Sequence, residues 1–89
     1  MTKPIVIDVR EADEYAEGHV EGALNITATD LMSGASQLAQ TPKDSEIIVY
    51  CRSGSRSNVA MHLLRQQGFT NLTNGINKDQ VMARYGDRL

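Results

Sequence analysis

Tryptophan is absent from this 89-residue chain, phenylalanine and cysteine occur once each, and there are only two prolines. A single cysteine excludes an internal disulfide, so a disulfide-stapled scaffold is ruled out and the redox compartment stays open. No apolar run is long enough to cross a bilayer as a helix. The opening "MTKPIVIDVR" has too short an apolar stretch for a secretory leader and runs straight into charge. The sequence as written therefore reads as cytoplasmic, with a periplasmic location as the alternative if a leader has been removed. Cys51, His19 and His62 lack any recognisable ligand spacing, so no metal site is expected. Repeats, linkers and low-complexity segments are also missing, and the length suits one domain, residues 1–89, with a modest core.

Acid is missing from one stretch. Residues 1 to 46 hold nine carboxylates against Lys3, Arg10 and Lys43, whereas residues 47 to 78 hold none and carry Arg52, Arg56, Arg65 and Lys78. The acid-free stretch contains the cysteine. Local positive charge favours thiolate over thiol and attracts small anions. Four scattered bases without interleaved aromatics do not point to nucleic acid.

Hydrophobic patterning gives alternating strands and helices. "PIVIDV", "GALNI", "EIIVYC" and "NLT" read as strands, the third being the clearest. "EADEYAEG" reads as a short helix closed by Gly18. "TATDLMSGASQLAQ" places Leu31, Ala35, Leu38 and Ala39 at helical spacing, with Thr27 or Thr29 as a cap and Gly34 against it. From Ser55, the positions Val59, Ala60, Leu63 and Leu64 form an apolar helix face that ends near Gly68. "KDQVMARYG" reads as a last, weaker helix. Tyr15, Leu31, Leu38, Leu63 and Leu64 are expected in the core and His62 on a helix surface. Four such alternations predict an α/β sandwich around a small parallel sheet, whose ligands bind beyond the carboxyl ends of the strands.

Cys51 stands at that end of the clearest strand, followed by Arg52, Ser53, Gly54, Ser55, Arg56 and Ser57. A turn of this composition opening a helix can aim successive backbone N–H groups at one anion. A thiol there is acidified toward a nucleophilic thiolate. Cys51 is accordingly the candidate catalytic residue and the six residues after it the candidate substrate-binding loop. Asp8 and Arg10, at another strand end, are candidates to brace the cysteine loop, and His19 to fix a turn.

Asp8-Val9-Arg10, Glu14-Tyr15, Gly18-His19 and Gly22-Ala23-x-Asn25-Ile26, followed by the loop from Cys51, resemble the rhodanese family of sulfurtransferases over nearly all of the chain. The layout is closest to its compact, phage-shock-type, periplasmic form. The resemblance implies a three-layer sandwich with strand order 4-3-1-2. It implies a Cys51 persulfide formed from a sulfane donor such as thiosulfate, and transfer of that sulfur to cyanide or a thiol. Backbone N–H groups, Arg52 and Arg56 would hold the anion. It also implies no cofactor, a monomer, and a small anionic donor and thiol acceptor as the partners. Departures from the pattern are a late start, Asn74-Gly75 where a Gly-Gly pair is usual, and no tryptophan after it; they bear on substrate choice. A cysteine phosphatase or arsenate reductase is the enzymatic rival. Such enzymes place five residues between cysteine and arginine, whereas here Arg56 follows after four and Ser57 takes the arginine's place. The other alternative is a binding or sulfur-carrying module that does not turn over.

Overall fold

The first and third strands form the middle of one parallel sheet in the computed structural model, which describes residues 3–89. Strand β1 spans Ile5–Asp8, β2 Leu24–Asn25, β3 Ile47–Cys51 and β4 Leu72–Asn77. Their spatial order is β2-β1-β3-β4 and every pairing is parallel, which is the expected order read from the other edge. All five residues of β3 are buried, as an unbroken Ile-Ile-Val-Tyr-Cys run requires of a central strand covered on both faces.

The two-residue period of the strands sorts side chains into two cores. Ile7, Val9, Ile47, Val49 and Cys51 face one side with Leu31, Ala60, Leu64 and Phe69. Val6, Ile48 and Tyr50 face the other with Val20 and Val81, and Tyr15 packs against them. Helices α2 (Ala28–Met32) and α3 (Ser55–Gln66) cover the first face; α1 (Ala12–Glu17) and α4 (Lys78–Tyr85) cover the second. Leu63 is only partly buried, and His62 is exposed.

Three elements differ from their sequence expectation. The long second helix is two pieces: α2 ends at Met32, Ala35 takes a left-handed φ of 47°, and a separate 3-10 turn covers Ser36–Leu38. Gly34 gives the chain the freedom to leave the helix there. Thr27, not Thr29, is the cap, its hydroxyl accepting from Asp30 N at 3.2 Å. In α3, Val59 is 52 % exposed, and the buried face is Ser57, Ala60, Met61 and Leu64. The helix is rotated so that Ser57 lies beneath the cysteine. Finally, β4 runs well past "NLT". Val49 pairs with Asn74 and Tyr50 with Ile76, so Gly75 is the extra residue of a bulge. A Cβ on Gly75 would lie 2.5 Å from Val81 and 3.0 Å from Ile48, so only glycine lets α4 approach the sheet there.

Candidate active site

The carboxyl ends of β1 and β3 lie side by side, which brings the segments that follow them together. After β3 the chain turns through Arg52, Ser53 and Gly54 into α3. Gly54 is the N-cap residue at φ 94°, a left-handed conformation that suits glycine. With no side chain, it leaves the first N–H groups of α3 without the usual cap. Cys51 Sγ takes that place. Gly54 N–H donates to it at 3.1 Å and Ser57 N–H at 3.4 Å. The Ser57 hydroxyl lies 3.4 Å from the same sulfur.

Burial pushes the Cys51 thiol up, but the Ser57 hydroxyl and the N–H groups of Ser57, Ser53 and Gly54 outweigh it, and the pKa falls to about 7. The thiolate is therefore far more accessible at neutral pH than in an ordinary thiol. The Ser57 hydroxyl has one proton and two acceptors. Asn74 Oδ1 is at 2.7 Å and takes it while Cys51 is a thiol. On ionisation the sulfur becomes the stronger acceptor, with the hydroxyl already in reach. Asn74 also donates from Nδ2 to Gly54 O at 3.0 Å and accepts from Ile76 N at 2.9 Å. Ile76, a β-branched residue at φ 73°, lies against Gly54 in a region such residues avoid. β4 thus buttresses the loop from behind.

The candidate loop residues divide. Ser53 and Ser55 are exposed, their hydroxyls 3.4 Å apart. Ser57, expected at the donor, is fully buried behind the sulfur, so it touches Cys51 and Asn74 rather than anything in the cleft. Arg52 and Arg56, expected to be free for an anion, both end on Glu14 of α1. Arg52 Nε donates to it at 2.6 Å, and Arg56 Nη1 and Nη2 at 2.7 and 3.2 Å. Those bonds, with a further one from Glu11 N–H, hold the Glu14 carboxyl far below the usual carboxylate range and raise the Arg56 guanidinium.

Asp8 and Arg10 do not bond to the cysteine loop. The strand period turns Asp8 to the face that carries Tyr50, away from Cys51. There Arg10 grips Asp8 at 2.7 Å and the Gly18 carbonyl at 2.6 Å. Tyr50 Oη donates to Asp8 at 2.8 Å and accepts from Val20 N–H. Burial, then the Asp8 carboxylate, push Tyr50 up to about 12. His19 is exposed, stacked on Tyr15 with ring centroids 3.6 Å apart, and its Nδ1 reaches the Tyr15 carbonyl at 2.8 Å. An open cleft of about 400 Å³ lies in front of Cys51.

Glu14 and Asn74 belong to the motifs quoted from the sequence, but their contacts with the cysteine loop are not legible along the chain. Glu14 is far from the loop in sequence, and its signal is topological: α1 follows the strand adjacent to β3. Asn74 stands where a Gly-Gly pair is usual, and a polar amide near a strand end does not announce which loop it will hold.

The Rhodanese-like domain family profile matches residues 1–80. The chain is a rhodanese-like domain. Its structure is similar to that of a rhodanese with anions from E. coli, with a TM-score of 0.76 and 30% identity over 86% of this chain and 89% of that one. In sequence it is 34% identical over 79 residues to the thiosulfate sulfurtransferase PspE of Escherichia coli, covering 88% of this chain and 75% of the relative. It is 33% identical over 69 residues to YrkF of Bacillus subtilis, which is provisionally named a sulfur carrier protein. That match covers 78% of this chain but only 36% of YrkF. The rhodanese-like domain thus has sulfurtransferase relatives, and its small α/β fold around a four-strand parallel sheet matches that of a solved rhodanese.

Proposed function

We propose that this rhodanese-like domain acts on its own as a sulfurtransferase. It takes the outer sulfur of a small anionic sulfane donor such as thiosulfate and passes it to a thiophilic acceptor, cyanide in an assay or a thiol. The observation that carries this reading is the Cys51 sulfur seated in converging N–H groups at the start of α3, with its pKa near 7. The thiolate attacks the outer sulfur of thiosulfate. A sulfur–sulfur bond forms to Cys51, the bond to the sulfonate sulfur breaks, and sulfite leaves with the electron pair. The persulfide inherits the thiolate's negative charge and the loop N–H groups that stabilise it. Attack by cyanide on the outer sulfur returns the thiolate and releases thiocyanate, completing a ping-pong cycle. No proton needs to be transferred once Cys51 is ionised, which fits His19 lying stacked on Tyr15 rather than at the sulfur.

Phosphatase chemistry fits the loop less well. Only four residues separate Cys51 from Arg56, and the Arg56 guanidinium is turned to Glu14. The carrier reading draws on the name of the Bacillus subtilis relative, and it differs in leaving the persulfide to a partner protein instead of turning it over. Mass spectrometry of the intact protein before and after thiosulfate separates these readings. The enzyme gains one sulfur atom on Cys51, loses it to cyanide and forms thiocyanate over many cycles. A protein that never gains sulfur ends the proposal; one that gains it but does not cycle with small acceptors is the carrier.

A further inference from the structure

The cleft in front of Cys51 has the backbone of an anion site but no net formal charge. Arg10, Arg52 and Lys78 line it, and so do Glu14, Glu17 and Asp79. Arg10 is already cancelled by Asp8. Of the two guanidiniums that flank the cradle, both end on Glu14, which accepts four hydrogen bonds: from Glu11 N, Arg52 Nε and both terminal nitrogens of Arg56. The Glu14 side chain is 16% exposed, against 64% for Arg52 and 40% for Arg56. The carboxylate is the fixed member, held by its own helix, and the arginines are drawn to it. A negative charge at this place opposes an incoming dianion twice as strongly as a monoanion, because the interaction scales with the product of charges.

We propose that Glu14 is a specificity-determining residue of the sulfur-donor site, which by engaging Arg52 and Arg56 lowers the positive potential over Cys51 and favours singly charged sulfane donors, such as persulfides and thiosulfonates, over the thiosulfate dianion. The proposal rests on the sulfurtransferase reading. With methanethiosulfonate the thiolate forms its bond to the outer sulfur, the bond from that sulfur to the sulfonyl sulfur breaks, and methanesulfinate leaves with the electron pair. With thiosulfate, sulfite leaves instead. Neither step needs an oxidant or a proton. The two donors have similar size and differ by one charge.

The experiment compares wild type, Glu14→Gln and Glu14→Ala with both donors at fixed ionic strength and cyanide as acceptor. The ratio of kcat/KM for thiosulfate to that for methanethiosulfonate should rise about ten-fold in both variants, mainly through a lower KM for thiosulfate. An unchanged or smaller ratio overturns the proposal. A second readout needs no sulfur transfer: alkylation of Cys51 by iodoacetate and by iodoacetamide, which also differ by one charge. The iodoacetate-to-iodoacetamide rate ratio should rise several-fold in the variants; a constant ratio overturns the role of Glu14 by itself. If wild type makes no thiocyanate from either donor, the sulfurtransferase reading fails, while the alkylation ratio still decides what Glu14 does.

Discussion

Two guanidinium–carboxylate clusters stand at the carboxyl edge of the same sheet, and they differ in burial. Asp8 is fully buried and Arg10 nearly so, and the Asp8 carboxylate accepts from Arg10 N, Nε and Nη2 and from the Tyr50 hydroxyl, while Arg10 Nη2 also reaches the Gly18 carbonyl. Glu14 and its two arginines lie at an open rim. In the first cluster the Asp8 carboxylate is cut off from solvent, so removing its partner strands a buried charge. In the second, solvent replaces what is lost, and the ion pairs have little to say about stability. What the rim cluster sets is the potential an approaching donor meets. The same pairing serves the fold where it is buried and the substrate where it is exposed.

The largest effect is expected from Cys51→Ser. The hydroxyl is close in size but hardly ionised, so sulfur uptake and thiocyanate formation should fall to background with circular dichroism unchanged; turnover by a well-folded variant would end the mechanism. Asp8→Ala should break the buried cluster and lower the unfolding free energy by about 3–5 kcal/mol, measured by urea denaturation. Because Asp8 faces away from Cys51, what folded protein remains should keep its thiol pKa near 7. A loss of thiol acidity without a loss of stability would invert the comparison. Glu14→Gln should do the reverse, leaving the unfolding midpoint in place while donor preference moves.

Ser57→Ala should have a smaller effect, confined to the thiol. It removes the hydroxyl facing Sγ and should raise the Cys51 pKa by about one unit, read as a shift in the pH midpoint of iodoacetamide alkylation. An unmoved midpoint would assign the acidity to the backbone N–H groups alone. The smallest effect concerns stability against pH. The folded thiol pKa, about 7, lies below the 9.0 of an unperturbed thiol. The associated stabilisation is therefore complete above the unfolded pKa and is lost as pH falls through the folded one. Wild type should gain stability relative to Cys51→Ser between pH 7 and 9, by denaturant midpoint; parallel curves would show that the thiolate contributes nothing.

Much of this was legible in the chain. The unbroken apolar run of β3, the cysteine at its end and the glycine-serine turn into α3 are local signals, and each sits where local physics puts it. The resemblance supplied the order of the strands. What escaped was whatever depended on elements meeting across the sheet. The acid-free stretch from 47 to 78 promised a positive site, but α1 and the start of α4 bring Glu14, Glu17 and Asp79 to it. Periodicity places Val59 inside the apolar face of α3, because it cannot tell which of two neighbouring stripes a small, partly polar surface such as Ser57 will join. The length of β4 was missed because Thr73, Asn74 and Gly75 have poor strand propensity, and pairing with β3 overrides it.

The cradle is closed from behind by Asn74, whose grip on the Gly54 carbonyl spans twenty residues of chain. During synthesis that residue emerges after the cysteine it serves. The same Gly54 carbonyl also accepts from Asn58 N–H at 3.0 Å, so it is held by its own helix and by the far strand at once. The turn beneath the sulfur thus answers to two elements, the helix it opens and a strand twenty residues further along the chain.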